Sequence, residues 1–479
     1  MGIKATAHKK MVLVLACAAQ FMVVLDVAVV NVALPSIQHD LGIGKGTLQW
    51  VIIAYGLMLG GFLLLGGRLA DLLGRRRILL TGLTLFSFAS LLAGVAGSAD
   101  LLIGARALQG FGAALIPPAA LSILAVTFAE GAERNRALGL YGAVTGVSGS
   151  VGVLASGLLT DGAGWHWVFR INVPIGVVLI AMAAVFLPAD GAARRRSEHF
   201  DVAGAVTITA GLLLLIYGLS YGAGHGWAAG STLGLFAASV VLLSAFVRIE
   251  ARSRSPLVPG SSVRNRTLVA ANLSAFFTFG AFFAFIFLGS LLMQQVLGYS
   301  ATRTGVAWLA TTATSFVAAG ITGGKLVALV GVRRLLVVAQ SLLAISVLLL
   351  TRIPAGGSFA TDLLPALLLA GVAGGMAAPA AQIGALSGVT NSMTGLASGL
   401  LETMREIGGA IGVAAVSTVL VSRAGVNAFH AAFWVIFAVA ALGALTAAIG
   451  FPRRIRQETG PEPAPSGVST AAEADVGPG

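Results

Sequence analysis

The chain has 479 residues, 57% of them hydrophobic and only 10% charged, with a formal net charge of +12. A soluble domain spends about 25% of its residues on charge. This chain cannot cover a water-facing surface of its size, so a bilayer must be part of its solvent, and a soluble enzyme is excluded.

A spanning helix needs about 20 mostly apolar residues. The hydropathy pattern predicts fourteen, at 11–34, 48–67, 78–97, 101–128, 137–160, 166–187, 203–221, 232–249, 268–293, 304–323, 335–351, 363–386, 396–421 and 430–450. The fold class expected is therefore all-α membrane protein. The short basic segment before residue 11 runs straight into an apolar stretch longer than a cleaved signal core, so a retained first span is expected. Lys and Arg orient the set. Lys9, Lys10, Arg75, Arg76, Arg77, Arg134, Arg136, Arg194, Arg195, Arg196, Arg333 and Arg334 all fall on one side, with Lys45, Arg303, Arg352 and Arg423 opposite. Both termini are then cytosolic in a cell membrane. The positive charge follows the bilayer and calls for no nucleic-acid partner. The residues from 453 to 479, rich in Pro, Ala, Gly and Glu, are expected to be disordered.

Two loops on the cytosolic side repeat one another: GRLADLLGRRR from Gly67 and GKLVALVGVRR from Gly324. Each follows the second span of its half. The expected organisation is a cytosolic segment at 1–10, a six-helix bundle at 11–193, two inserted helices with linkers at 194–266, a second six-helix bundle at 267–452, and the tail. Duplicated bundles of this kind mark alternating-access transporters. In the first loop Gly67, Asp71, Gly74, Arg75 and Arg76 form a candidate conformational latch. Asp71 faces Arg75, Arg76 and Arg77 across the Gly74 turn, where charge-assisted hydrogen bonds would lock one state. Ala328 stands in place of the Asp in the second loop, so the latch is expected to be lost there.

Charged groups inside the spans are costly and mark function. Asp26 lies about 13 Å before Pro35 along a helix, near mid-membrane, and is a candidate proton carrier. Arg106, with Gln109 beside it, would compete for such an acid. Glu402, Arg405 and Glu406 share one helix face. Two acids against one Arg leave a surplus negative charge for a proton or a cationic substrate. The candidate proton-coupling set is Asp26, Arg106, Glu402 and Glu406. The candidate substrate contacts are Asn31, Gln109, Glu402, Arg405, Glu406, Phe279 and Phe283, the two rings coming from a ninth span rich in Phe. Ordinary packing is the simpler reading of those rings. The histidines lie in loops, at span ends or near a terminus, so no metal site is expected, and no cofactor.

LDVAVVNVALP (25–35), GRLADLLGRRR, ARALQGFGAA (105–114), WHWVFRINVPIG (165–176) and GLASGLLETMREIGGAIG (395–412) together resemble the signatures of the major facilitator superfamily, in particular its fourteen-helix drug:proton antiporters. That resemblance covers nearly the whole chain to about residue 450. It implies export of amphipathic compounds in exchange for protons, with Asp26, Arg106 and Asp71 as functional positions, in a protein expected to be a monomer in the bilayer. The chain departs from the pattern at Val153, where a Pro is usual, at His166, where an Arg is usual, and at Glu402 and Glu406, where amides are more common. Val153 keeps an importer or symporter of a metabolite open as an alternative. A membrane sensor or assembly protein on the same scaffold is a third. The chain contains no G-x-x-x-x-G-K-[ST] loop for ATP, and GITGGKL (320–326) has the wrong spacing.

Overall fold

The computed structural model describes residues 2–189, 201–253, 256–354, 356–421 and 426–451. The linker carrying Arg194 to Arg196, the tail from 453, and the side chains of Asn31 and Val153 lie outside the described residues.

The first half comprises α1 (Gly2–Leu41), α2 (Lys45–Leu73), α3 (Arg75–Gly94), α4 (Ala99–Thr127), α5 (Ala132–Ala163) and the consecutive pair α6 (His166–Arg170) and α7 (Asn172–Phe186). Then come α8 (Val202–His225), α9 (Gly230–Glu250) and the short α10 (Gly260–Arg264). The second half comprises α11 (Arg266–Leu291), α12 (Ala301–Ile321), a single turn α13 (Val327–Val330), α14 (Val332–Leu350), α15 (Leu364–Leu386), α16 (Thr394–Val421) and α17 (Val426–Gly450). Wider π-helical turns extend α11 at Leu292–Val296 and α12 at Thr322–Leu326, and precede α15 at Phe359–Leu363. No strand occurs among the described residues.

Twelve of these helices, counting α6 with α7 and α12 with α13, are long and apolar enough to cross a membrane. The other two long helices, α5 and α16, have 32 and 28 residues. α5 packs on α1 and α16 on α11.

The expectation that the first span stops at Pro35 is corrected, since α1 continues through it to Leu41. A proline inside a helix loses its own backbone donor and crowds the carbonyl four residues back, at a cost of about 3 kcal/mol. Ala33 and Ile37 on either side of it are fully buried with Val51, Ala93 and Trp165, and that packing holds the last turns.

The two halves repeat in packing as well as in sequence. In the first half α1 packs on α5, α2 on α4, α3 on α4 and α3 on α7. In the second half α11 packs on α16, α12 on α15, α14 on α15 and α14 on α17, the same pattern shifted. The seams between the halves also match, with α2 against α16 and α5 against α12. The inserted pair α8–α9 lies outside this scheme, and α8 leans on both α2 and α16.

Candidate functional site

The first site is a desolvated ion pair inside the first half. Asp26 of α1 and Arg106 of α4 are 0% and 2% exposed. The Arg106 guanidinium donates to Asp26 Oδ2 at 2.5 Å, to Gln109 Oε1 at 2.6 Å and, through Nε, to the Val51 carbonyl at 3.0 Å. Gln109 Nε2 donates to Asp26 Oδ1 at 2.8 Å and to Ser90 Oγ at 2.8 Å. Asn172 Nδ2 donates to the same Oδ1 at 2.9 Å. The Asp26 carboxylate therefore collects three donors from α4 and α7. Burying two charges is tolerable only when such bonds replace the lost water. The Tyr55 ring covers the guanidinium, 4.1 Å from Arg106 Cζ, and Phe169 lies 5.8 Å away. A cation stacked on an aromatic face gains a further electrostatic contact.

Asp26, Arg106 and Gln109 thus come together as the sequence implies. Gln109 spends its amide entirely inside the network, so its contacts go to the ion pair. Tyr55, Ser90 and Asn172 escaped the sequence reading because uncharged polar residues in apolar helices give little signal. Asn172 sits within WHWVFRINVPIG, at the start of α7 and just before Pro174, and that quoted motif was the available pointer.

The second site is on α16. Arg405 donates to Glu402 Oε2 at 3.1 Å, and its guanidinium stacks over Phe279 of α11 at 4.6 Å. Arg405 Nε has no hydrogen-bond partner among the described residues. Phe283 meets Phe279 edge to face at 5.7 Å and fills the space left by Gly409. From the first half, Tyr141 donates to Gln20 Oε1 at 2.7 Å. Glu406 is only partly buried and makes no hydrogen bond or ion pair within 4 Å to a described residue. Asn31 cannot be placed in either site, because its side chain lies outside the described residues.

The third feature is the joint between the halves at the end carrying the α2–α3 turn. Gly74 makes that turn at φ +108°, a conformation that favours glycine. Asp71 accepts from the backbone N–H groups of Gly395 and Leu396 at 3.0 and 2.9 Å. These are first-turn donors of α16, where unpaired amides and the helix dipole favour an anion. Arg75 lies 3.5 Å from Asp71 and donates to Ser122 Oγ at 2.5 Å, to Thr394 Oγ1 at 3.0 Å and to the Asn391 carbonyl. A Cβ at Gly67 would collide with the carbonyl of Gly395, so glycine is what lets the helices close there. Arg76 departs from the expected cluster, donating to the Ala184 carbonyl at the end of α7 at 2.7 Å. At the matching seam, where Ala328 replaces the acid, Gly323 and Gly139 meet backbone to backbone. Arg170 likewise serves a helix end, with Nε on the Gly94 carbonyl of α3 at 2.7 Å.

Two matching halves of long apolar helices, with a sealed ion pair in one and a partly open acid in the other, define a polytopic membrane transporter. The chain belongs to the Major Facilitator Superfamily, whose model matches residues 16–413 and, in an overlapping second match, 271–476. It is 38% identical over 412 residues to the puromycin resistance protein pur8 of Streptomyces alboniger, covering 85% of this chain and 81% of that one. It is 37% identical over 408 residues to the cephamycin export protein CmcT of Amycolatopsis lactamdurans, covering 85% and 84%. Among solved structures the human organic anion transporter MFSD10 matches with a TM-score of 0.69 at 17% identity, over 92% of this chain and 99% of that one, which speaks to the fold alone. The chain is thus a multi-pass membrane transporter of small substrates and not an enzyme, the class that the loop repeat and the motifs imply.

Proposed function

We propose that this protein exports amphipathic compounds, cationic or aromatic ones in particular, in exchange for protons by alternating access. The names of its relatives support export, since one confers puromycin resistance and another exports a cephamycin. The observation that carries proton exchange is the Asp26–Arg106 pair. An acid that is fully buried yet held by three side-chain donors is a group whose protonation would rearrange its neighbours. Glu406, with no hydrogen-bond partner among the described residues, is the group left to meet a cationic substrate, and Phe279 and Phe283 supply flat surface beside it.

In this reading all fourteen long helices cross the membrane, in bundles at 11–193 and 267–452 with 194–266 inserted between them. The end with the Asp71 joint faces the cytosol, as do both termini, and the chain works as a monomer in the cell membrane. The joint is then the closed inner gate of an outward-facing state.

The test uses everted vesicles from an efflux-deficient host. An imposed inside-acid gradient should drive uptake of ethidium, an aromatic cation, and Asp26→Asn should reduce that uptake to background. Undiminished gradient-driven uptake in Asp26→Asn would remove Asp26 from the mechanism.

A further inference from the structure

Tyr55 lies on α2, is 2% exposed, and touches the ion pair through its ring, 4.1 Å from Arg106 Cζ. Among the described residues its hydroxyl makes only a long hydrogen bond, 3.4 Å, to the Val23 carbonyl. The helix pairing shows what lies on its other side. On the seam, Gly67 of α2 faces Gly395 of α16, and one turn further along Leu63 faces Gly399. The two helices are antiparallel, so each turn back along α2 matches a turn forward along α16. Carried on for two more turns, this register brings Tyr55 and Gly56 of α2 to the level of Glu406 and Ile407 of α16. A Cβ added at Gly56 would meet nothing within 4 Å, so there is room at this level of the seam.

We propose that Tyr55 is a positioning residue that couples the Asp26–Arg106 pair to Glu406 across the α2–α16 seam, so that a proton on Asp26 and a cation at Glu406 exclude one another. The proposal rests on the exchange reading above. The charged groups that face this region are Asp26 from α1, Arg106 from α4, and Glu402, Arg405 and Glu406 from α16. Arg405 already serves Glu402. With Asp26 ionised, Arg106 is neutralised where it lies and Glu406 is free to hold a cation. With Asp26 protonated, Arg106 loses its counter-ion, and the Tyr55 ring keeps the bare guanidinium at the seam, where its field disfavours a second cation. Without an aromatic ring the guanidinium can relax away, and the two sites lose sight of one another. The ring and not the hydroxyl is the operative part, because the hydroxyl makes only the long bond.

The experiment measures ethidium binding to the purified full-length protein by fluorescence anisotropy between about pH 5.5 and 8. Wild type should bind about tenfold more weakly at the acid end, within the usual range of site–site coupling. Tyr55→Phe should keep that pH profile. Tyr55→Leu should flatten it to under about twofold. Should Tyr55→Leu fail to fold, Tyr55→Met keeps more of the volume without the ring and should give the same flattening. A leucine or methionine variant with the wild-type pH profile would overturn the coupling role alone. Absence of ethidium binding by wild type at every pH would overturn the cation-exchange reading and this inference with it.

Discussion

Arg106 binds by shape as well as by charge. Its guanidinium reaches Asp26, Gln109 and the Val51 carbonyl at once and lies over the Tyr55 ring, a combination a lysine ammonium cannot reproduce. Truncating one member of a buried pair strands the other charge, at a cost of about 3–5 kcal/mol. Arg106→Ala should therefore destabilise the protein by about that amount in detergent unfolding, more than Asp26→Asn/Arg106→Ala, where no charge is stranded. Equal or greater loss in the double variant would show that the two residues are not energetically coupled. Asp26 and Arg106 were legible in the sequence because an ionised side chain in an apolar run stands out. Their partners were not, because Ser90, Asn172 and Tyr55 are ordinary residues far away along the chain, and only the fold brings them to the carboxylate.

The α2–α16 joint depends on two devices of different kind. One is the close approach at Gly67, where any Cβ would strike the Gly395 backbone. The other is the Asp71 carboxylate on the first-turn amides of α16. Hydrogen bonds to a charged group are worth about 1.5–3 kcal/mol. Gly67→Ala raises helix propensity by up to about 1 kcal/mol, yet it should open the joint, so the two effects have opposite signs. Spin labels at Leu73→Cys and Ser392→Cys, with the single native cysteine removed by Cys17→Ser, report the separation. Both Gly67→Ala and Asp71→Ala should shift the distance distribution to longer values, and an unchanged distribution in both would remove the joint as a gate. The loop repeat announced the place of this joint, and the Gly74 turn lies where the sequence put it. The partner of Asp71 could not be read, because backbone amides of a distant helix leave no mark in the side-chain pattern. Arg76 shows the same limit: a basic run does not say which helix end each member will serve.

At the scale of the whole molecule, the fold was legible because hydropathy, loop charge and the repeat report on one quantity, burial in a bilayer. The side on which the halves are closed was not, since one sequence must support both closures during transport. The structure holds one of them, and in it the formal side-chain charges of the two clusters sum to one negative. Asp26 balances Arg106 and Glu402 balances Arg405, and the remainder resides on Glu406. A partly buried charge 4 Å from a cation interacts by up to about 4 kcal/mol at an effective dielectric of 20, and each 1.4 kcal/mol of net affinity is about tenfold in binding. Removing that charge without changing its shape should therefore act on the charge of the substrate and not on its size. Glu406→Gln should lower transport of ethidium by about tenfold or more, while a neutral aromatic compound of similar area should stay within about twofold of wild type, since its apolar contacts with Phe279 and Phe283 are untouched. Vesicle uptake of the two compounds side by side gives the ratio. Parallel losses for both would mean that Glu406 supports the helix and does not select the cargo.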